Sequence, residues 1–283
     1  MEILKNVSLK KYTTLKIGGI AENFYIPKSS EDLQRILKEN KEILILGAGS
    51  NLLINDEKKF EHIVYMGEFE DKILKELEED RFYVSSSVKL QKLINIINEK
   101  GFGGIEYLYS VPATVGGAVI MNAGRGKQYN KQISDYIVEV KVLENGVEKL
   151  IKKEDCDFSY RMSKFKKNKD YIILGAVFKF EKQEREVSNK LKKERLETSK
   201  QYLDATNFSA GSVFKKSNGK ILRVLRLISP GWKKGVKFSK KTNNWLNNHG
   251  EGTYKQAKML INLTKCLHRL LFQKIELEYI IWD

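Results

Sequence analysis

Hydrophobic and polar positions change their period several times along the first part of the chain. Residues 21–26 alternate between apolar and polar side chains, which predicts a strand. Residues 30–39 place their apolar side chains at helical spacing instead, and Ser29 or Ser30 supplies the helix cap. Residues 43–46 are a short continuous apolar run, which is typical of a buried strand. The chain therefore mixes strands and helices from its beginning.

The middle of the chain continues this mixture. The helix predicted over residues 90–100 has one apolar face and ends at Gly101. An Asn-Gly pair at positions 145 and 146 separates two alternating runs, which predicts a hairpin. Strands are predicted over residues 84–88, 137–142, 147–151 and 172–180.

The remaining segments complete the predicted order. Residues 9–19 read as a short strand that runs into a tight turn. Residues 186–203 are helical and highly charged, with sparse apolar positions, so we expect a solvated connecting helix. Residues 254–272 predict an amphipathic helix, and residues 275–281 predict a final strand.

Two glycine-bearing segments interrupt the regular pattern. In residues 104–126, Pro112 predicts a turn, and Gly116 and Gly117 let the backbone approach a neighbour closely. Exposed backbone N–H groups beside small residues suit a phosphate or a carboxylate. A glycine-rich turn without a ligand explains the same composition, and the residues alone leave both interpretations open.

The second glycine segment, residues 47–53, follows the apolar run directly. A strand that leads into Gly-x-Gly suggests phosphate binding. Leu52 occupies the place of the third glycine of the dinucleotide-binding fingerprint, so that fingerprint is not met.

Composition excludes several classes of protein. The 283 residues suffice for two or three compact lobes, and 41% hydrophobic with 31% charged residues is normal for a globular enzyme. The formal net charge of +15 would suit nucleic acid, but the lysines are spread along the chain and no nucleic-acid-binding motif accompanies them. Cys156, Cys266 and three scattered histidines match no metal-ligand spacing. Without an apolar run of membrane length or a signal-peptide pattern, we expect a cytoplasmic protein.

Both glycine segments resemble one family. Residues 110–118 and 121–124 resemble the flavin loop GIPGTVGGAxxMNAGAYG of the UDP-N-acetylenolpyruvylglucosamine reductase family, with departures at Ala113 and Arg125. Residues 47–53 match the GxGSNLL loop of that family at every position. Two such loops in the right order are a stronger signal than either loop alone.

Further motifs extend the resemblance over nearly the whole chain. Residues 158–165 match F-x-Y-R-x-S-x-F, and residues 209–217 resemble SAGSxFKNP except at Lys216 and Ser217. Residues 239–248 resemble SxKHxNFxxN, with Thr242 in place of the His, and residues 275–281 align with LEPEVRxIG. A tyrosine-bearing insertion is absent, which resembles the shorter, type II branch of the family.

The resemblance implies a fold and a domain plan. It implies an α+β protein with the FAD-binding fold of the vanillyl-alcohol-oxidase/PCMH type, built from two α+β lobes, and a third α+β lobe that binds substrate. The expected boundaries are 1–67 for the first FAD-binding lobe, 68–186 with 271–283 for the second, and 187–270 for the substrate lobe. We expect a monomer with no nucleic-acid or membrane partner and no metal.

The resemblance also implies the site residues. The catalytic residues would be Arg161, Ser212 and Glu278. The substrate-binding residues would be Tyr160, Arg161, Lys215 and Asn243. FAD would be held by Gly47, Ala48, Gly49, Ser50, Asn51, Leu52, Ser110, Pro112, Ala113, Thr114, Gly116, Gly117, Ala118 and Asn122.

The implied reaction uses non-covalent FAD, NADPH and a UDP-sugar with an enolpyruvyl ether. NADPH would reduce the flavin, and flavin N5 would deliver a hydride to the enol. Arg161 would hold the substrate carboxylate, because a guanidinium is always charged and forks onto two oxygens. Ser212 would then donate a proton, and Glu278 would help to stabilise the enolate. Two alternatives stay open: another FAD oxidoreductase of this fold with a different substrate, and a basic anion-binding module without a flavin.

Overall fold

The computed structural model describes most of the chain. The described residues are 1–40, 42–69, 75–78, 80–125, 130–204, 207–228 and 232–283. Gly126, the last residue of the longer glycine segment, lies outside them.

The chain forms two compact units, each built from several stretches of sequence. Unit 1 comprises Met1–Leu4, Asn23–Ala48 and His62–Glu197. Unit 2 comprises Lys5–Glu22, Gly49–Glu61 and Thr198–Asp283. These boundaries differ from the three-lobe plan with limits at residues 67, 186 and 270, which stays a prediction.

Seven α-helices and twenty strands lie within the described residues. The helices are α1 Ser30–Glu39, α2 Leu90–Glu99, α3 Val115–Ile120, α4 Lys164–Lys167, α5 Arg185–Tyr202, α6 Gly219–Ile228 and α7 Tyr254–Leu270. The strands are β1 Glu2–Ser8, β2 Ile20–Ile26, β3 Leu44–Leu46, β4 Leu52–Ile54, β5 Lys59–Tyr65, β6 Lys75–Glu78, β7 Arg81–Ser85, β8 Phe102–Gly103, β9 Gly124–Arg125, β10 Lys131–Gln132, β11 Ile137–Glu144, β12 Val147–Lys152, β13 Tyr171–Lys179, β14 Glu181–Lys182, β15 Phe208–Ser212, β16 Phe214–Lys216, β17 Val236–Phe238, β18 Trp245–Asn248, β19 Glu276–Leu277 and β20 Ile280–Trp282.

Unit 1 contains an antiparallel five-stranded sheet with the order β12-β11-β13-β7-β6. Strand β13 lies at its centre, and its continuous apolar run is buried between β11 and β7. The predicted hairpin joins β11 to β12, because Asn145 (φ 51°) and Gly146 (φ 80°) both adopt the left-handed conformation that a tight hairpin turn needs.

Helices α1 and α2 form where the apolar spacing predicted them. Ser29 caps α1, since its side chain accepts a hydrogen bond from the Asp32 N–H, and Leu33 and Ile36 are fully buried. On α2, the fully buried side chains Leu90, Leu93, Ile94 and Ile97 pack into the core of unit 1.

Unit 2 is organised around a three-stranded sheet with the order β15-β18-β17. Helices α6 and α7 contribute Leu222, Leu225, Leu260 and Ile261 to the core beside it. Helix α7 begins with a capping box between Thr253 and Gln256, which satisfies backbone donors at the helix start.

The final strand predicted over residues 275–281 is in fact two short strands. Strand β19 pairs antiparallel with β16, whereas β20 pairs parallel with β4. The chain changes partner at Glu278 and Tyr279, whose N–H groups both point to the Val213 carbonyl at 2.8 and 3.4 Å. Alternation of apolar residues cannot reveal such a break, because both partner strands are distant in sequence.

The strand predicted for residues 9–19 is wrong. Residues 9–12 form a 3-10 helix, and no strand follows before β2. The Thr13 hydroxyl donates to the Ile17 carbonyl at 3.0 Å, and Lys16 adopts a φ of 57°. Leu15 and Ile17 are buried because this local turn folds them into the core of unit 2, which imitates the alternation of a strand.

A four-stranded sheet with the order β1-β2-β5-β3 includes β1, a strand that the sequence analysis did not predict. The strand predicted at 84–88 lies instead at Arg81–Ser85. The mixture of helices with largely antiparallel sheets confirms the α+β class. Within the described residues, no helix combines the length and the apolar character that a bilayer span requires.

Candidate active site

The longer glycine segment forms a short helix rather than an open loop. Thr114 caps α3, and its Oγ1 accepts a hydrogen bond from the Gly117 N–H at 3.4 Å. The Val115 and Gly116 N–H groups donate to the carbonyls of Val88 and Ser86 at 2.8 and 2.9 Å. The backbone donors of this helix start are therefore occupied inside the protein, and of the two interpretations left open this geometry favours the one without a phosphate contact at residues 115–118.

The two adjacent glycines of this segment have different roles. A Cβ on Gly116 would lie 2.9 Å from Cβ of Ser86, so this glycine permits close packing of two backbones. A Cβ on Gly117 would meet only Thr114 Oγ1, at 3.6 Å. Gly47 faces the same hydroxyl, since its Cβ would lie 3.3 Å from Thr114 Oγ1. Unit 1 thus brings the predicted cofactor residues Gly47, Thr114 and Gly117 together around one open position.

The shorter glycine segment has backbone N–H groups that are free to bind a ligand. Within the part of the chain that the structure describes, the backbone N–H groups of residues 47–50 donate no hydrogen bond. Gly49 has a φ of 61°, and a Cβ there would lie 2.1 Å from the Tyr12 carbonyl oxygen, so only glycine fits. Consecutive unpaired N–H groups around a left-handed residue are a recognised arrangement for binding anions.

These features fit a dinucleotide flavin. Free N–H groups at residues 47–50 suit its diphosphate, and Gly117 leaves space beside the Thr114 hydroxyl. The buried hydroxyls of Ser86 and Ser110 have no hydrogen-bond partner among the described residues. Buried polar groups usually have partners, so a bound molecule would complete this region.

Asn122 and Asn51 were both predicted to contact the cofactor, but their side chains are used elsewhere. The Asn122 amide donates to the Ser159 carbonyl and to Gln132 Oε1, at 3.0 and 2.8 Å. The Asn51 amide donates to the Glu278 carbonyl at 3.1 Å. The two side-chain amides therefore hold the protein's own structure, and a contact of Asn51 or Asn122 with FAD stays a prediction.

The predicted active-site arginine lies at the tip of a tight turn in unit 1. Ser159 and Met162 exchange backbone hydrogen bonds of 3.1 and 3.0 Å, so Tyr160 and Arg161 form the two-residue tip. Arg161 has a φ of 56°, which is uncommon for a residue with a side chain and is frequent at functional sites. Its guanidinium lies 5.3 Å from the centroid of the Tyr160 ring.

Two contacts fix this turn to the longer glycine segment. The Asn122 amide binds the turn at the Ser159 carbonyl, as described above. The Ser163 hydroxyl donates to the Ile120 carbonyl, at the end of α3, over 2.7 Å. Tyr107 is buried nearby, and this burial raises the pKa of its hydroxyl while the charge of Arg161 acts in the opposite direction.

Ser212, the predicted proton donor, follows a bulge in unit 2. Ser209 pairs with Asn247, and Ser212 pairs with Trp245. Between these two pairs β15 contains one residue more than β18, which is a β-bulge. Gly211 (φ 78°) absorbs this irregularity, and a Cβ there would meet nothing within 4 Å. Glu278 lies alongside, because its N–H donates to the Val213 carbonyl at 2.8 Å. Unit 2 therefore brings the predicted residues Ser212 and Glu278 together.

The predicted substrate contacts of unit 2 differ in their availability. Lys215 forms an ion pair with Glu276 at 2.7 Å, and this hydrogen bond lowers the pKa of the Glu276 carboxyl. Asn243 Oδ1 is buried without a partner among the described residues, which suits a ligand contact. These assignments remain predictions.

Asn244 is a residue that the sequence analysis missed. Its amide donates to the Phe214 carbonyl at 2.7 Å, and its Oδ1 accepts from the Phe214 N–H at 3.0 Å. It therefore fixes the strand that follows Ser212. The family pattern could have indicated this residue, because the first Asn of SxKHxNFxxN falls on residue 244 when the pattern begins at Ser239.

Charge is divided unevenly between the two units, although lysines occur along the whole chain. Unit 2 holds 22 Lys and Arg against 9 Asp and Glu, a net charge of +13. Unit 1 holds 29 Lys and Arg against 27 Asp and Glu, a net charge of +2. Unit 2 therefore carries the field that would attract an anionic ligand. Among the described residues, no group of three or more potential ligands is placed to hold a metal ion.

Comparisons with known proteins cover both glycine segments and most of the chain. Residues 21–150, which include both glycine segments, match the FAD binding domain family. A UDP-N-acetylenolpyruvoylglucosamine reductase of Fusobacterium nucleatum is 33% identical over 94% of this chain and 93% of its own length. The enzyme of that name in Borreliella burgdorferi is 31% identical over 91% of this chain and 87% of its own length.

A solved structure extends the likeness to the whole fold. The crystal structure of UDP-N-acetylenolpyruvylglucosamine reductase from Thermus caldophilus aligns with a TM-score of 0.83 and 26% identity, covering all of both chains. The α+β fold of the FAD-binding type predicted from the resemblance is thus confirmed.

Proposed function

The chain belongs to the UDP-N-acetylenolpyruvoylglucosamine reductase family, and on this premise we propose that it reduces UDP-N-acetylglucosamine enolpyruvate to UDP-N-acetylmuramate with electrons from NADPH. Members of this family are FAD-dependent oxidoreductases of peptidoglycan precursor synthesis. The proposal assigns to this chain the electron donor, the proton donor and the residues that bind the substrate.

The first part of the proposal concerns the cofactor. When bound, FAD supplies the hydride that adds to the enolpyruvyl double bond. The free N–H groups of residues 47–50 bind its diphosphate, and Gly117 and Thr114 shape the position beside them. Residues 115–118 contribute packing rather than phosphate contacts, because their N–H groups already have acceptors.

Arg161 binds the substrate carboxylate. Its guanidinium stays charged at any physiological pH and offers a fork of donors that matches two carboxylate oxygens. Negative charge moves towards this carboxylate as the double bond is reduced, so the interaction strengthens during the reaction. The turn that holds Arg161 at a positive φ fixes the direction in which its side chain leaves the backbone before the substrate arrives.

Ser212 donates the proton that completes the reduction. The proton moves from Ser212 Oγ to the carbon next to the carboxylate, and the O–H bond breaks as the C–H bond forms. A hydroxyl is a weak acid, so the transfer requires a strongly basic acceptor carbon and a site shielded from water. Glu278, on the segment beside Val213, would stabilise the same charge in its protonated form, by donating a hydrogen bond. The net charge of +13 on unit 2 suits a substrate with a diphosphate and a carboxylate.

The observation that carries the proposal is the bulge at Gly211. Gly211, with a φ of 78°, interrupts the pairing of β15 immediately before Ser212, the predicted proton donor. Glu278 lies on the neighbouring segment, whose backbone is hydrogen-bonded to Val213. Bulges of this kind re-aim a side chain, and they are frequent beside active sites.

The experiment separates the two half-reactions by stopped-flow absorbance with the Ser212→Ala variant. We expect NADPH to reduce the flavin of this variant at the wild-type rate, because Ser212 plays no part in that step. Oxidation of the reduced flavin by the enolpyruvyl sugar should slow by about 10³-fold or more, the scale of a lost general acid. Equal rates in variant and wild type would remove Ser212 from the mechanism.

A further inference from the structure

We propose that Tyr279 is a positioning residue for Ser212, acting through the backbone of Gly211. This inference rests on the proposed function of Ser212. The Tyr279 hydroxyl donates to the Gly211 carbonyl oxygen at 3.1 Å, and this carbonyl belongs to the peptide that links Gly211 to Ser212. The bond therefore fixes the orientation of the peptide from which the Ser212 side chain projects.

The bulge needs such an anchor. Gly211 has no side chain to pack, and its left-handed conformation (φ 78°) is one of several that glycine adopts at little cost. Regular pairing with β18 is interrupted between Ser209 and Ser212, so the sheet fixes this peptide less than its neighbours. The Gly211 N–H donates to Ser209 Oγ at 3.3 Å, and the bond from Tyr279 to the Gly211 carbonyl restricts the peptide that follows.

Tyr279 is itself held rigidly. Only 4% of the residue is exposed, and its N–H points to the Val213 carbonyl at 3.4 Å. Burial raises the pKa of the phenol, so the hydroxyl keeps its proton and remains a donor over the working pH range. A buried hydroxyl without an acceptor costs free energy, so this bond is also favoured energetically.

The position is informative because the hydroxyl is not part of the family pattern. When LEPEVRxIG is aligned to place its second Glu on Glu278, the next residue of the pattern is Val. Valine has no donor and cannot form this bond. Tyr279 thus gives this chain a tie between the segment that carries Glu278 and the strand that carries Ser212.

The test removes one oxygen atom with Tyr279→Phe. Tyr254→Phe is the matched control, because Tyr254 is also buried in unit 2 and its hydroxyl accepts a hydrogen bond from Lys258, on the same helix, at 2.8 Å. The first readout is amide hydrogen exchange over residues 208–214 in the purified protein without substrate. We expect exchange there to become about 5-fold faster in Tyr279→Phe, as for loss of one hydrogen bond, and to be unchanged in the control.

The second readout is stopped-flow absorbance of the flavin. Tyr279→Phe should leave reduction by NADPH within twofold of wild type and slow oxidation by the enolpyruvyl sugar about 10-fold, with little change in the sugar concentration at half-maximal rate. In a Ser212→Ala background, Tyr279→Phe should add no further loss, because it acts through Ser212.

The outcomes separate the two hypotheses. If wild-type protein is oxidised by the sugar and Tyr279→Phe is oxidised equally fast, the positioning role is wrong and the proposed function stands. An additive loss in the double variant would also overturn the positioning role, since Tyr279 would then act independently of Ser212. If the sugar does not oxidise the reduced wild-type flavin at all, the proposed function falls and this inference falls with it.

Discussion

The two glycine segments look alike in sequence and do different work in the structure. Residues 47–50 leave four consecutive backbone N–H groups without an acceptor among the described residues, around Gly49 in a left-handed conformation. Residues 115–118 place their N–H groups on Val88, Ser86 and Thr114 and continue as a helix. One segment therefore offers donors to a ligand, and the other uses its donors to hold itself in place.

The difference shows why glycine content alone does not identify a binding loop. Glycine has three different roles in these segments. It allows a left-handed backbone at Gly49, close packing at Gly116 and open space at Gly117. Only the surroundings distinguish these roles. Substitutions at the three positions should consequently have effects that differ in size and in kind.

The largest effect is expected for Gly49→Ala. A Cβ at this position would lie 2.1 Å from the Tyr12 carbonyl oxygen and would also disfavour the φ of 61°. Clash and backbone strain together should lower the free energy of unfolding by roughly 3 kcal/mol or more. Urea denaturation measures this change, and the variant should also lose its FAD.

Gly146→Ala is the control for Gly49→Ala. Gly146 has a φ of 80°, but a Cβ there would meet nothing within 4 Å. Gly146→Ala therefore measures the backbone strain without a clash, and we expect it to lower the free energy of unfolding by about 1 kcal/mol. Equal losses in the two variants would show that the contact with Tyr12 contributes nothing.

Gly117→Ala should have a smaller effect on stability. It should also weaken the binding of FAD. The added Cβ meets only Thr114 Oγ1 at 3.6 Å, and alanine favours a helix over glycine by up to about 1 kcal/mol, so stability should rise slightly. The dissociation constant of FAD should nevertheless increase, because the methyl group enters the open position. Fluorescence titration of the apoprotein with FAD measures this constant.

Gly116→Ala provides the contrast on the same helix. Its Cβ would lie 2.9 Å from Cβ of Ser86, so we expect a loss of roughly 1–3 kcal/mol in stability. If Gly117→Ala binds FAD as tightly as wild type while Gly116→Ala does not, the roles given to the two glycines are reversed.

The sequence was most informative where the structure depends on neighbouring residues. The cap at Ser29, the hairpin at Asn145 and Gly146, and the positions of both glycine segments follow from local patterns. Partners that are distant in sequence could not be predicted in this way. The acceptors for the N–H groups of residues 115 and 116 lie about thirty residues earlier, and the helix that they hold in place was not predicted.

The candidate site shows the same limit. Motifs indicated Arg161, Ser212 and Glu278, but not the turn at Arg161 with a φ of 56° or the bulge before Ser212. Asn51 and Asn122 had the right residue type for a cofactor contact, and only the structure shows that their amides bind backbone carbonyls. Residue type indicates which chemistry is available, whereas packing decides which atoms remain free to perform it.

The most direct test of the proposed function is one anaerobic absorbance experiment on the wild-type protein with bound FAD. NADPH should bleach the visible absorption band of the flavin, and one equivalent of UDP-N-acetylglucosamine enolpyruvate should restore it, with UDP-N-acetylmuramate as the product identified by mass spectrometry. A band that bleaches with NADPH and stays bleached after the sugar is added would contradict the proposed substrate, although FAD binding would stand.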